Sequence, residues 1–276
     1  MRAQTVFALS TGIAALAFAT PAAAQSDDKP FEGVYVGATL GFDMQPNDVG
    51  EAISFDRGLD GRFGDTLTTV GGADAFSTGF CNGQARAATR NPGCLNDSDS
   101  AGYTGRIGYD RQYGHMVVGI VAEFGDSQIR DSVTAFSITP ASYTMNREIN
   151  FTAGIRGRLG YAANKTLFYG TGGGAYARVN NYFRTTNVVN GFTANGDSNA
   201  FGFAAGGGIE QKISKNVSIG LEFLHTQLQD DDYRVRVTGG PATSPFTIGG
   251  GGGTDFRRSF EKFRYQSLRA TVAYRF

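Results

Sequence analysis

Apolar and polar residues alternate along much of this chain, and the alternation is clearest in its last ten residues. One face of that segment is apolar and the other is mostly polar. A period of two residues is typical of a β-strand whose two faces have different surroundings. The residues of the apolar face are Leu268, Ala270, Val272, Tyr274 and Phe276. We expect this closing strand to pair with the first strand of the chain.

Seven more segments alternate in the same way, so the sequence predicts eight strands. Their approximate ranges are 31–44, 101–109, 116–124, 149–161, 166–179, 199–211, 217–223 and 267–276. The connections alternate between long (45–100, 125–148, 180–198 and 229–261) and short. Short turns at one end and long connections at the other are typical of an up-and-down barrel. The predicted fold is therefore all-β, an eight-stranded antiparallel up-and-down β-barrel with four long loops.

Residues 1–24 have the layout of a secretory signal, which the mature protein would lack. Arg2 is followed by an apolar run at about 6–19 and then by three alanines at 22–24. We therefore assign the barrel domain to residues 25–276. No later segment approaches the ~20 apolar residues that a membrane-spanning helix needs. If the chain crosses a membrane, it does so as a closed barrel.

Charge and short motifs exclude several classes of function. The chain has 25 basic and 25 acidic residues, a balance that offers no basic surface for nucleic acid. Gly170, Gly172 and Ala175 match the spacing of a dinucleotide-binding motif. That motif must open a helix, whereas the two-residue alternation continues here. We therefore expect neither a nucleic-acid partner nor a cofactor.

Two cysteines, Cys81 and Cys94, lie in the first long loop. An exported chain meets an oxidising compartment, so we expect these two residues to form a disulfide. The alternative, a metal site, lacks a nearby histidine or further cysteine. In the chain-entropy model, closing a loop of this size contributes about 3 kcal/mol.

The interior of an eight-stranded barrel is only wide enough to be filled by side chains. Charged residues in the predicted inward phase should therefore form a buried ion-pair network among small neighbours. The charged set is Arg106, Glu123, Arg156, Glu222 and Arg269 at one level, with Asp110, Arg158 and Glu210 one layer below. The glycines assigned to the same inward phase are Gly37, Gly41, Gly102, Gly108, Gly154, Gly170, Gly172, Gly206 and Gly208.

Aromatic residues gather near the ends of the predicted strands, as in the two aromatic girdles of membrane barrels. The group near the short turns comprises Tyr109, Tyr161, Tyr169, Tyr274 and Phe276, and the group near the long loops comprises Phe42, Phe124, Phe151 and Phe201.

Segment 155–176 carries the most specific pattern in the chain, with the runs RGRLGYA and LFYGTGGGAY, and the chain closes on AYRF. These runs resemble the porin-like β-barrel family of small outer-membrane proteins, which includes opacity and immunogenic surface antigens of Gram-negative bacteria. The resemblance implies a transmembrane barrel in the outer membrane and no reaction. It also implies contact with membrane lipid and lipopolysaccharide, recognition of the closing strand by the barrel-assembly machinery, and an unknown extracellular partner at the loops.

Four alternative interpretations fit the sequence less well. A narrow pore for small solutes conflicts with a filled interior. A lipid A-modifying enzyme would need an acid beside His225, but Glu222 is on the opposite face, and His115 lies in a distant turn. Asp97, Asp99 and the run 230–232 do not have the spacing of a calcium loop, so we assign no metal site. A soluble ligand-carrying barrel would scatter lysines over its strands, whereas here they cluster in turns and loops.

Overall fold

A computed structural model describes residues 29–46, 49–248 and 252–276 of the protein. The predicted signal segment, 1–24, lies outside the described residues. Sixteen strands follow one another along the described chain: β1 Gly33–Met44, β2 Ile53–Arg57, β3 Phe80–Asn82, β4 Gln84–Ala85, β5 Cys94–Leu95, β6 Ser100–Tyr113, β7 Met116–Ser127, β8 Arg130–Ser137, β9 Ala141–Ala163, β10 Thr166–Thr185, β11 Gly191–Ala194, β12 Ser198–Lys212, β13 Val217–Gln229, β14 Val235–Gly239, β15 Thr254–Arg258 and β16 Lys262–Arg275.

Eight of these strands form a closed antiparallel barrel, in the order β1-β6-β7-β9-β10-β12-β13-β16. The barrel closes where β16 pairs with β1, from Tyr35 opposite Arg275 to Met44 opposite Gln266. Closure leaves no unpaired strand edge in the barrel wall. The eight-stranded fold predicted from the alternation is confirmed.

The outside of the barrel carries a continuous apolar band. Residues such as Leu40, Ile155 and Leu221 are exposed to the outside, while their strand neighbours face the interior. Eight of the nine predicted girdle aromatics also face outward: Phe42, Tyr109, Phe124, Phe151, Tyr161, Phe201, Tyr274 and Phe276. A barrel with this surface is suited to a hydrocarbon environment.

The predicted facing of β10 is wrong. Tyr169 is buried in the interior, whereas Gly170 and Gly172 face outward. Pairing sets this phase, because Gly170 lies opposite the outward-facing Leu159 of β9. Both faces of β10 carry aromatic and small residues, so its sequence does not distinguish inside from outside. The other seven glycines do lie in the inward phase of their strands.

A β-bulge in β9 reverses the facing of this strand. Phe151 pairs with Arg178 and Ile149 pairs with Val179, so Asn150 is the extra residue. Even-numbered residues such as Arg156 face the interior below the bulge, whereas odd-numbered ones such as Arg147 do so above it. This reversal explains why the alternation appears to end at residue 149, although β9 starts at Ala141.

The four segments predicted as loops fold into a second layer above the barrel, which we call the cap. Strands β8, β9 and β10 project into it, and β11-β14-β15-β2 form a separate four-stranded sheet. The cap has its own core of Ile53, Phe55, Leu67, Ala75, Phe76, Val133, Ala135, Ala141, Tyr143, Met145, Tyr233, Val235, Val237, Phe246 and Phe256. The description of these segments as plain loops is therefore corrected.

Candidate functional site: the barrel interior and its cap

Two layers of ion pairs occupy the middle of the barrel interior. In the lower layer, Arg158 contacts Glu210 at 2.8 Å and Asp110 at 3.5 Å, and Arg275 contacts the same two carboxylates at 3.5 and 2.9 Å. Arg158 also donates to the Tyr35 hydroxyl at 2.7 Å. Each buried charge therefore faces an opposite one, as a low-dielectric interior requires.

The upper layer converges on two carboxylates. Glu222 accepts from Arg106 at 3.0 Å and from Arg156 at 3.2 Å. Glu123 contacts the same arginines at 2.5 and 2.9 Å, and Arg269 at 3.4 Å. The five side chains come from five strands, so the layer ties most of the barrel wall together.

Tyr169 connects the two layers. Its hydroxyl donates to Glu222 at 3.0 Å, and its ring lies 4.2 Å from the Arg158 guanidinium carbon. This explains its inward position physically, because the ring contributes a cation–π contact and the hydroxyl satisfies a buried carboxylate oxygen.

Apolar clusters close the interior at both ends. Near the short turns the cluster is Phe31, Val117, Ala162, Leu167 and Tyr169. Near the cap it is Ile129, Ile149, Ala177, Val179, Ala200, Leu228, Phe263 and Tyr265. Along its axis, the barrel therefore holds apolar, charged and again apolar side chains, and the cavity beside Glu123 and Arg156 has a volume of only about 40 Å³.

A third ion cluster, which we call the junction, joins the cap to the barrel. Arg258 of β15 binds both oxygens of Glu51 at 2.8 and 2.6 Å, and contacts Asp131 at 2.8 Å. Arg147 binds Asp131 at 2.5 Å and lies over the ring of Phe263 at 4.7 Å. These residues are buried, and their contacts join β15 of the cap to β8 and β9.

Burial and neighbouring charges shift the pKa values of the carboxyl groups in and near the junction. Burial alone would raise the pKa of Asp131, but the guanidinium groups of Arg147 and Arg258 outweigh it and hold that pKa below its usual range. Burial, opposed by Arg258, raises the pKa of Glu51. Nearby, burial and then the charge of Asp131 raise the pKa of Asp97 to about 7.

Comparisons with known proteins agree with this architecture. No family model matches the chain. A 22 kDa outer membrane protein of Rhizobium leguminosarum bv. viciae is 29% identical over 150 residues, covering 53% of this chain and 63% of that relative. A 31 kDa outer-membrane immunogenic protein of Brucella melitensis is 27% identical over 177 residues, covering 59% and 73%. The chain thus spans less than two thirds of the Rhizobium protein.

Two observations determine the class of this protein. Its relatives are named as outer-membrane proteins, and its strands form a closed barrel with an apolar outer surface. The chain is an outer-membrane β-barrel protein. Two solved barrels are similar in general form: the outer membrane protease OmpT of Escherichia coli (TM-score 0.38, 11% identity, covering 89% of this chain and 97% of that one) and Ail, the attachment invasion locus protein of Yersinia pestis (TM-score 0.33, 12% identity, 89% and 99%).

All eight charged residues predicted for the interior lie in the two layers of this outer-membrane barrel. Sequence reasoning missed Arg275 and Tyr35, although both have the inward phase of their strands. It also missed the junction, because Glu51, Asp131 and Arg258 lie in segments without sustained alternation. The predicted disulfide between Cys81 and Cys94 is present, and it lies beside the β3–β8 pairing in the cap.

The residues that an alternative activity would use, His225, His115 and Asp97, make ordinary packing or hydrogen-bond contacts. His225 faces outward beside Phe203, with ring centroids 6.4 Å apart, whereas Glu222 faces inward. His115 stacks on Tyr161 near a short turn. Asp97 accepts the Ser132 amide at 2.8 Å. Across the described ranges, no cluster of three or more metal-ligating side chains occurs, and no helix has the length and apolarity to span a membrane.

Proposed function

We propose that this protein is a non-catalytic surface protein, in which the barrel is a rigid anchor and the cap interacts with partners outside the cell. The barrel itself contributes to the integrity of the envelope. Lipid and lipopolysaccharide surround its apolar band, and the closing strand, which ends in Tyr274 and Phe276, is the segment that the assembly machinery would recognise.

The observation that carries this proposal is the folded cap. Segments from all four long connections share one core, in which Phe76, Tyr143 and Phe246 form edge and tilted ring contacts with centroids 5.4 to 6.0 Å apart. A surface that is ordered before binding loses less conformational entropy when a partner binds. The Brucella relative is named an immunogenic protein, which agrees with exposure of such a surface.

The filled interior supports an anchor over a pore. Two ion-paired layers lie between two apolar clusters, and opening a path would expose paired charges that now satisfy each other. We expect planar-bilayer recordings of the purified protein to show no stable open channels.

A gene deletion complemented by two variants tests the proposal. Phe256→Asp places a charge in the cap core and should unfold the cap, while heat-modifiable migration on gels shows that the barrel remains intact. We expect this variant to restore resistance to detergents and bile salts but not attachment to surfaces or cells. His225→Ala should leave both functions and the acylation pattern of lipid A unchanged. Attachment that survives loss of the cap, or an altered lipid A pattern, would overturn the proposal.

A further inference from the structure

The cap contains a cavity of about 420 Å³. Its walls come from 75–76, 137–143, 186–190 and 241–246, so all four long connections contribute. The β8–β9 turn beside it is ten residues beyond Phe151 of the outer girdle, roughly 30 Å along the strand. The cavity therefore lies far outside the membrane, and its volume is in the range of about 300–1,000 Å³ that is usual for small-molecule sites.

The lining of this cavity carries no charged side chain. Aromatic rings of Phe76, Tyr143 and Phe246 form its inner part, and hydroxyl-bearing residues such as Thr139 and Thr243 lie at its exposed rim. The two barrel layers and the junction, in contrast, are ionic. A charged ligand would lose hydration in the cavity without gaining a counter-ion, which is costly.

The walls are held in place by side-chain amides. Asn187 donates to the Tyr143 hydroxyl at 2.8 Å, and its oxygen accepts from the amides of Val189 and Asn190 at 2.8 and 3.0 Å. Asn190 in turn donates to Ser244 at 3.0 Å. These bonds fix the rim, including Val189, which is 65% exposed. The site is thus preorganised, so binding needs little ordering of loops.

We infer that the cavity binds a neutral saccharide unit. A sugar ring combines apolar C–H faces, which suit aromatic and valine walls, with hydroxyl groups that exchange hydrogen bonds with a hydroxyl-bearing rim, and it carries no charge. A freely diffusing apolar ligand would leave this polar rim unused. The inference rests on the proposed surface-interaction function and names the class of ligand that the cap recognises.

Saturation-transfer NMR on the full-length protein tests this inference. The protein is held in lauryldimethylamine oxide micelles, since maltoside or glucoside detergents would themselves present sugars. The neutral probes are methyl glucoside, methyl galactoside, N-acetylglucosamine and lactose, and the charged counterparts are glucuronic acid and glucosamine. We expect at least one neutral probe to bind at millimolar concentration and the charged counterparts to bind at least tenfold more weakly.

Matched variants place the binding in the cavity. Val189→Asp at the rim should weaken the neutral probe at least tenfold, and Val70→Asp, at a valine that is 72% exposed elsewhere on the cap, should leave it unchanged. Heat-modifiable migration checks that the barrel of both variants folds, and the protease resistance of the cap, compared with the wild type, checks that the cap folds. Equal binding of the charged sugars, equal loss in both variants, or no binding of any neutral probe would overturn the inference. If the Val189→Asp variant loses sugar binding but still attaches to cells, the assignment of a sugar ligand would be wrong, whereas the proposed surface function would remain supported.

Discussion

Glu222 is one of the two carboxylates on which the upper interior layer converges. It accepts from Arg106, Arg156 and Tyr169, and it is 2% exposed. Removing one partner of a buried ion pair leaves the other charge without compensation, which costs more than the pair itself contributes.

Glu222→Gln should therefore lower the free energy of unfolding by about 3–5 kcal/mol, because Arg106, Arg156 and Arg269 would then face a single carboxylate, that of Glu123. Urea titration of the protein in micelles measures the change. The control is Glu261→Gln, whose partner Arg257 is 3.0 Å away at the surface, and it should cost less than about 1 kcal/mol. Similar losses in the two variants would show that the interior network does not stabilise the barrel.

We expect Asp97 to make the stability of the cap depend on pH. Burial and the charge of Asp131 raise its pKa from 3.8 to about 7, with Glu51 adding to this effect and Arg258 and the Ser132 amide opposing it. A carboxyl group whose pKa is higher in the folded state stabilises that state most below its unfolded pKa. This contribution should be lost as the pH rises from about 4 to 7, so we predict a less stable cap above pH 7.

Asp97→Asn should remove this dependence, because asparagine can still accept the Ser132 amide but does not ionise. At pH 8 we expect the variant to stabilise the cap by roughly 1–2 kcal/mol after allowance for solvent screening, and at pH 4 we expect no gain. Hydrogen exchange at the Ser132 amide, compared at both pH values, measures this. A variant that is less protected than the wild type at pH 8 would contradict the assignment.

Among the strands, the seam between β1 and β16 leaves no space for a side chain at Gly41. A Cβ atom on Gly41 would lie 2.7 Å from the Cα of Arg269, in direct conflict with the backbone of β16. A Cβ atom on Gly174, which faces outward from β10, would meet nothing within 4 Å. Glycine is therefore required sterically at the first position and not at the second.

Gly41→Ala should consequently reduce assembly of the folded barrel and lower its thermal midpoint, whereas Gly174→Ala should be neutral or slightly stabilising, since alanine lowers the entropy of the unfolded chain. Heat-modifiable migration as a function of temperature compares the two. Equal tolerance of both substitutions would show that β1 and β16 are not as closely paired as described.

The strands also show how far the sequence predicts the structure. All eight barrel strands follow from alternation, because one face of each strand contacts an apolar environment and the other a packed interior. The facing of β10 cannot be predicted in this way, because Tyr169 and Gly170 are each compatible with either side of the wall. The pairing of β10 with β9 determines which of them faces the interior. The upper half of β9 does not follow either, because one bulged residue, Asn150, reverses the pattern.

On the scale of the whole molecule, the barrel and the cap differ in how far their structures can be predicted from the sequence. The barrel repeats one two-residue pattern, so its interior residues can be identified from the sequence. The cap assembles short strands from four distant segments, and residues such as Glu51 and Arg258, 207 positions apart, meet only in the folded structure. The ionic junction and the uncharged cavity therefore become visible only in three dimensions.

The central claim is that charged and small side chains face one another inside the barrel while their apolar neighbours face lipid. Spin labels at Ile155, Leu221 and Val272, with Val70 in the cap as an aqueous reference, test it most directly in reconstituted bilayers. We predict that the three barrel labels collide readily with oxygen and little with a water-soluble nickel chelate, and that the Val70 label shows the reverse. Water-like accessibility at the three barrel positions would contradict the account.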